Sequence, residues 1–499
     1  MNRIALINCV ALLLLSLGLK SQRVGIGTPT PHSSAQFEVN STTRGTLITT
    51  MTTTQRKLIT QPAVGLLVFD IDKKTIYMYD GNRWLPLLFS TTEKNPPAYF
   101  QPTLSSTDAN FGYKVDIYGD YAIIGARQAI LSPGLTAHTG IAYIYHRVNG
   151  AWEYQDVFAA DDGEEDDYFG ASVSINESFA VVGAWGDDVG ANANQGSVYI
   201  FSRVGNTWSQ QSKITAADGS ASDFFGYSVD ISTDNTLVIG AYGDNINANI
   251  DQGSAYVYHG SAGIGGFVWA LDAKLTASDG GTGDSFGTSV GIYLNNIVVG
   301  AFSDDIGVNT DQGSAYVYYR LTNPAGWTTG QAHHLKLLSQ DGEAFDFFGI
   351  SVDINQNVIA IGASGDDVGG NGEQGSAHLF LEAIQGGVPD FGPGQLVTSP
   401  DGAVGDNFGI SVTLGTTGLA VGAYRADDSG GILNKGSVYV YKRPPFSFLP
   451  SEFNRKVEDE TGQANGYFGF SVSLSGYDLI IGAYGKNSTN GQIAFLNIE

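Results

Sequence analysis

Cysteine is all but missing from this chain: the single one in 499 residues, Cys9, lies in an N-terminal apolar stretch. Beyond it there is no thiol for a disulfide, a cysteine-ligated metal or a nucleophilic sulfur. Basic residues are scarce as well, 25 Lys and Arg against 50 Asp and Glu, for a formal net charge of -25. So negative a surface repels phosphate backbones, which argues against nucleic acid as a partner; cations and basic surfaces remain, with solubility as the plainest use of the charge. Long apolar runs are lacking too. The longest, from Ile4 to Leu19, follows Arg3 and ends in Lys20-Ser21-Gln22. It falls short of the roughly 20 residues of a membrane span and has the form of a secretory signal, residues 1–22. The mature chain is therefore expected to be exported, at the cell surface or extracellular, and not membrane-spanning.

What the chain has in plenty is glycine, 66 residues or about 13% against a usual share of about 7%. Phe and Tyr, at 26 and 25, suit pleated strands, and stretches of strong helix formers are hard to find. The glycines are not scattered. Phe-Gly recurs at Phe111, Phe169, Phe225, Phe286, Phe348, Phe408 and Phe468, at spacings of 56 to 62 residues. Each is followed by Gly-Ala in an apolar run, at Gly125, Gly183, Gly240, Gly300, Gly362, Gly422 and Gly482. A period this long marks a supersecondary unit that buries its faces only against its neighbours.

The unit at Phe225 reads as four short strands. Phe225–Ile231 alternates, Leu237–Ala241 is continuously apolar, Gly253–Tyr258 follows a polar loop, and Val268–Thr276 ends before the turn pair Asp279-Gly280. Four antiparallel strands per unit make a propeller blade. The paired glycines let backbone approach where a Cβ would collide, and the Phe fills the gap between blades. Eleven residues before each Phe-Gly stands an apolar residue of the fourth strand: Phe158, Ile214, Leu275, Leu337, Val397 and Val457. The same offset from Phe111 lands on Phe100, with no blade before it, while the last unit stops after a third strand at Gln492–Asn497. The spacing thus predicts an all-β, seven-bladed β-propeller over residues 98–499, closed by an N-terminal outer strand that completes the last blade.

These landmarks resemble the FG-GAP repeat family, best known from the propellers of integrin α-subunits, over about 400 of the 499 residues. The third letter after Gly-Ala is not the family's Pro but Arg127, Trp185, Tyr242, Phe302, Ser364, Tyr424 and Tyr484. The resemblance implies adhesion or recognition through propeller loops. Integrin-type blades also hold calcium in an Asp-x-Asp-x-Asp-Gly loop between the landmarks, but here that interval is too short and too poor in acids, so the calcium loop does not carry over.

Acids recur elsewhere. Asp-Gly followed by a second Asp precedes five Phe-Gly pairs, at Asp162 with Asp167, Asp218 with Asp223, Asp279 with Asp284, Asp341 with Asp346 and Asp401 with Asp406. A second set follows Gly-Ala: Asp187-Asp188, Asp244-Asn245, Asp304-Asp305, Asp366-Asp367 and, displaced by one, Asp427-Asp428. One reading makes these divalent-cation ligands, calcium foremost. The preferred one makes them turn caps that accept backbone N–H groups, since only the metal reading needs a full oxygen shell.

Residues 23–92 fall outside the repeat. They read as a small β-rich module with a short capped helix in Met51–Ile59, a hairpin of Gly65–Phe69 with Thr75–Tyr79 and a last strand near Trp84, joined by a linker at 93–97. The module resembles one found at the front of exported Bacteroidetes proteins and phage-tail-fibre-like proteins, which implies self-association. The seven histidines share no place in the repeat, and no catalytic residue or cofactor site is assigned. A non-enzymatic adhesion or recognition protein with a protein or glycan ligand is the leading expectation. A structural spacer in an envelope or fibre assembly comes second, and a hydrolase with a loop-borne site third.

Overall fold

The computed structural model describes residues 49–498, apart from 65, 73–74, 80–83, 87–96, 103–108, 131–137, 264–265, 321–325, 332, 386–387, 393, 428–430, 444–448, 450–451, 461 and 487–489; before residue 49 it describes only the strands Val24–Ile26 and Phe37–Val39. Residues 1–22, expected from the sequence to be a secretory signal, lie outside the described residues. The chain divides into two compact units, Met1–Lys94 and Asn95–Glu499.

In the first unit Val24–Ile26 pairs in parallel with Phe37–Val39. A four-stranded sheet follows, in the order Thr50–Met51, Leu67–Asp70, Thr75–Tyr79, Trp84–Pro86. The helix Thr53–Lys57 starts at a capping box in which Thr52 and Gln55 exchange side-chain and backbone bonds. Its Arg56 pairs with buried Asp70 at 2.9 Å and stacks over Tyr77.

The second unit contains seven antiparallel sheets among its described residues. The third is representative: Ser228–Ile231, Thr236–Ala241, Ser254–Gly263 and Gly266–Leu275 pair in that order. The fifth carries an extra strand, Val388–Phe391, which pairs with Ser376–Gln385 beside the outer strand Gln395–Val397 and was not expected from the repeat. In every sheet the Gly-Ala strand is covered on both faces, as its unbroken apolar run requires. In the seventh sheet the outer strand is Ala98–Phe100, with Phe100 opposite Ile493. Phe100 therefore stands where Leu275 stands opposite Ala255 in the third sheet, and its ring lies 5.5 Å from that of Phe495.

The glycines show how one sheet meets the next. A Cβ built on Gly125, Gly183, Gly240, Gly300, Gly362 or Gly422 would lie 1.9–2.1 Å from the carbonyl oxygen of the following sheet's Phe-Gly glycine; one on Gly482 would lie 2.0 Å from that of Gly112 in the first. Backbone thus touches backbone at each junction, including the one between the last sheet and the first. The Phe rings, all at most 1% exposed, fill the space beside these contacts.

Candidate functional site

The innermost strands surround an axial cavity of about 290 Å³. Two rings of polar side chains line it. The upper ring stands three residues after each Phe: Lys114 in the first sheet and Ser172, Ser228, Ser289, Ser351, Ser411 and Ser471 in the others. Ser172 donates to the carbonyl of Gly226 at 2.7 Å and Ser228 to that of Gly287 at 2.8 Å, and the pattern repeats through Ser289, Ser351 and Ser411. The lower ring, two residues on, latches each sheet to the next by accepting a backbone N–H. Asp116 accepts from Ile175 at 2.8 Å, Ser174 from Ile231 at 3.2 Å, Asp230 from Ile292 at 2.7 Å, Asp353 from Leu414 at 2.6 Å, Thr413 from Leu474 at 3.1 Å and Ser473 from Ile117 at 3.3 Å. Gly291 has no side chain to take part. The latches satisfy inward-facing donors that no neighbouring strand pairs.

Three of these latches are carboxyls that line the cavity and are half-buried. Burial, then repulsion from Asp116 and Asp353, pushes Asp230 up to about 8. Burial pushes Asp353 up to about 6 and raises Asp116, although four donors hold the latter back. Ser174 Oγ lies 3.1 Å from both Asp116 Oδ2 and Asp230 Oδ1. Its one proton serves only one of them, which favours a proton on the other. An acid whose folded pKa exceeds the unfolded 3.8 stabilises fully below 3.8 and loses that contribution as pH rises through the folded value. Asp230→Asn is accordingly expected to gain stability relative to the wild type between pH 4 and pH 8, with the two converging near pH 4. Denaturant midpoints at a series of pH values measure this, and parallel profiles would refute it.

The mouth of the cavity is aromatic. Trp185, Tyr242, Tyr424 and Tyr484, each directly after a Gly-Ala, meet rings from the Phe-Gly segments. Trp185 stacks on Tyr168 at 4.5 Å, Tyr242 lies 4.5 Å from Tyr227, Tyr424 lies 5.5 Å from Phe470 and Tyr484 lies 5.6 Å from Tyr113. Arg127 covers Tyr113 with its guanidinium 3.9 Å from the ring centroid. All of these side chains are half-buried. Lys114 sits at the same mouth, its pKa lowered by burial and by Arg127. Sequence reasoning noted these third letters as a departure from the family and missed the surface they make together; their alignment in the repeat was the available signal.

The acids set out as metal candidates meet lysines. Asp187, Asp244 and Asp304 are buried, and Oδ2 of each lies 2.6–2.7 Å from Nζ of Lys213, Lys274 or Lys336. The same ammonium groups reach Asp162, Asp218 and Asp279 at 2.6–2.8 Å, so both acid sets converge on one cation of the protein. Hydroxyls of Ser197, Ser254 and Ser314 and of Tyr199, Tyr256 and Tyr316 donate to the same oxygens. The second members of four pairs and the first of the displaced one close their own loops: Asp188, Asn245, Asp305, Asp367 and Asp427 accept the N–H of Asn194, Asp251, Asp311, Glu373 and Asn434 at 2.7–2.9 Å. Asp428 lies outside the described residues. Asp366 is buried but has no lysine beside it. Among the described residues no three His, Cys, Asp or Glu side chains form a ready-made metal shell. His333 and His334 are half-buried just before the strand Leu335–Leu337. His334 Nδ1 accepts the N–H of Tyr319 at 2.9 Å.

Consecutive antiparallel sheets, four-stranded but for the fifth, whose Phe-Gly and Gly-Ala pairs make the junctions define a β-propeller class of protein. The FG-GAP repeat matches residues 152–201, 208–258, 269–318, 333–380, 395–441 and 454–494, more than half of the chain, which belongs to that family. The segment around Phe111 is outside these stretches. Residues 25–97 match a phage tail like trimerisation region. No curated protein matches the chain. No helix among the described residues is long and apolar enough to cross a membrane.

Proposed function

We propose that this is an exported, non-catalytic recognition or adhesion protein, a seven-bladed propeller sealed by Ala98–Phe100, that takes a protein or glycan ligand on its aromatic mouth. The observation that carries the reading is that mouth: half-buried Trp, Tyr and Phe rings with Arg127 and Lys114 among them. Rigid aromatics with polar tips supply contact area at little entropic cost and dominate binding surfaces. The raised carboxyl pKa values in the cavity, which elsewhere signal catalysis, follow here from burial and, for Asp230 and Asp353, mutual repulsion of acids whose latching bonds pull the other way. The trimerisation region supports joining several propellers, which converts weak single contacts into avid ones.

Residues 23–499 applied to glycan arrays and to pull-downs from surface extracts are expected to retain a ligand. Trp185→Ala with Tyr227→Ala should weaken that binding at least tenfold while leaving the melting temperature within a few degrees. Turnover of a substrate without a retained ligand would sink the proposal. The trimerisation match also favours a second reading, a spacer in a fibre. In that case light scattering finds trimers for 23–499 and monomers for 98–499, and neither retains a ligand.

A further inference from the structure

The lysine network described above has a pattern of loss around the propeller. Lys213, Lys274, Lys336 and Lys456 stand on outer strands directly opposite Tyr199, Tyr256, Tyr316 and Tyr439. The fifth sheet places Leu396 opposite His378 in the same register. Where other sheets lack this lysine, the buried acid is gone as well. The first has Val157 opposite Tyr143, and Ala129 in the place of Asp187. The seventh has Tyr99 opposite Ala494, and there Lys486 takes the acid's place and binds Asp459 at 2.5 Å. Only the fifth keeps the acid, Asp366, without the cation.

Asp366 is 7% exposed, and its Oδ2 is buried with no hydrogen-bond partner. The same oxygen of Asp244 receives Lys274 at 2.6 Å, Ser254 at 2.6 Å and Tyr256 at 3.2 Å. Ser376, the counterpart of Ser254, acts on the Asp366 carboxyl and is also 3.1 Å from His378 Nε2, so its one proton is contested. His378 does not replace the missing charge, since burial pulls its pKa down to about 4 and keeps it neutral. Asp341, Glu343 and Asp367 also act on Asp366, and no Lys or Arg among the described residues is ion-paired with any of the four. Burial pushes neighbouring Asp346 up to about 7, and repulsion from Asp366, Glu343 and Asp341 adds to it.

We propose that the fifth sheet binds a divalent inorganic cation in the place a lysine ammonium occupies in its neighbours, between the carboxylates of Asp366 and Asp341. Leu is shorter than Lys and leaves that place to a ligand. Asp341 and Leu396, the latter 43% exposed, open it to solvent. A hard cation suits carboxylate and hydroxyl oxygens, water completes its shell, and the clustered acids favour double charge over single. With two carboxylates from the protein the affinity belongs to the weak end of such sites, on the order of 10⁻⁴–10⁻³ M.

Calcium or magnesium chloride added to chelator-treated full-length protein is expected to raise the melting temperature by roughly 1–3 °C, and potassium chloride at equal ionic strength to raise it less. Leu396→Lys with His378→Tyr rebuilds the neighbours' network. It should melt higher than the wild type in chelator and lose the response to divalent ions. Asp366→Asn, a milder change, should lose the response and melt no lower than the wild type in chelator. A wild type indifferent to calcium and magnesium, an equal response to potassium, or a response retained in Asp366→Asn would overturn the proposal.

Discussion

Gly240→Ala is expected to destabilise the propeller by about 3 kcal/mol or more, the upper end of what overpacking a rigid interior costs. The added methyl would stand 1.9 Å from the carbonyl oxygen of Gly287 and 2.3 Å from Ser228 Oγ. Neither neighbour has room to yield. Gly287 has a φ of +96°, its N–H is tied to Gly300 at 2.9 Å, and its carbonyl accepts Ser228 at 2.8 Å. Gly150→Ala is the control: at a φ of +87° it bears conformational strain, but nothing lies within 4 Å of the new Cβ. Its cost should be about 1 kcal/mol. Guanidinium midpoints of the two variants decide the matter, and equal losses would mean that the sheets do not meet backbone to backbone.

Phe100→Ala is expected to cost about 2–3 kcal/mol, somewhat below a fully buried Phe→Ala change because the ring is only half-buried. Its ring lies 5.5 Å from both Phe495 and Tyr145, so it joins the last sheet to the first. The loss should also be local. Amide exchange in Gln492–Asn497, whose outer edge is covered by Ala98–Phe100, is expected to speed up before exchange in the third or fourth sheet changes. Uniform acceleration everywhere, or none, would show that the N-terminal strand does not seal this sheet.

Much of the architecture could be read in advance because its junctions demand one residue type. Gly240 and Gly287 are glycine since no Cβ fits, and such a requirement leaves a mark at fixed spacing. The offset that singled out Phe100 worked for a related reason, as Leu275 and Phe100 fill the same register position. The lower polar ring left no comparable mark. Asp116, Ser174 and Thr413 differ in chemistry yet perform one task, and in sequence each looks like the solvent side of an alternating strand. Nor was it visible that Asp162 and Asp187 share Lys213, because the three come from separate segments that only the fold assembles. The exception at Leu396 and His378 carries meaning only against the register of the other sheets.

The pairing of Ala98–Phe100 with Ile493–Phe495 spans nearly 400 residues. At a synthesis rate of about 5–20 residues per second, the earlier strand emerges roughly 20 to 80 s before its mate. Through that interval Tyr99 and Phe100 offer a bare edge that any other strand, including one from a second nascent chain, is free to take. Assembly of the whole ring is therefore gated by its last-made segment, and crowding during biosynthesis should divert this protein into intermolecular pairing more readily than heating the finished molecule does.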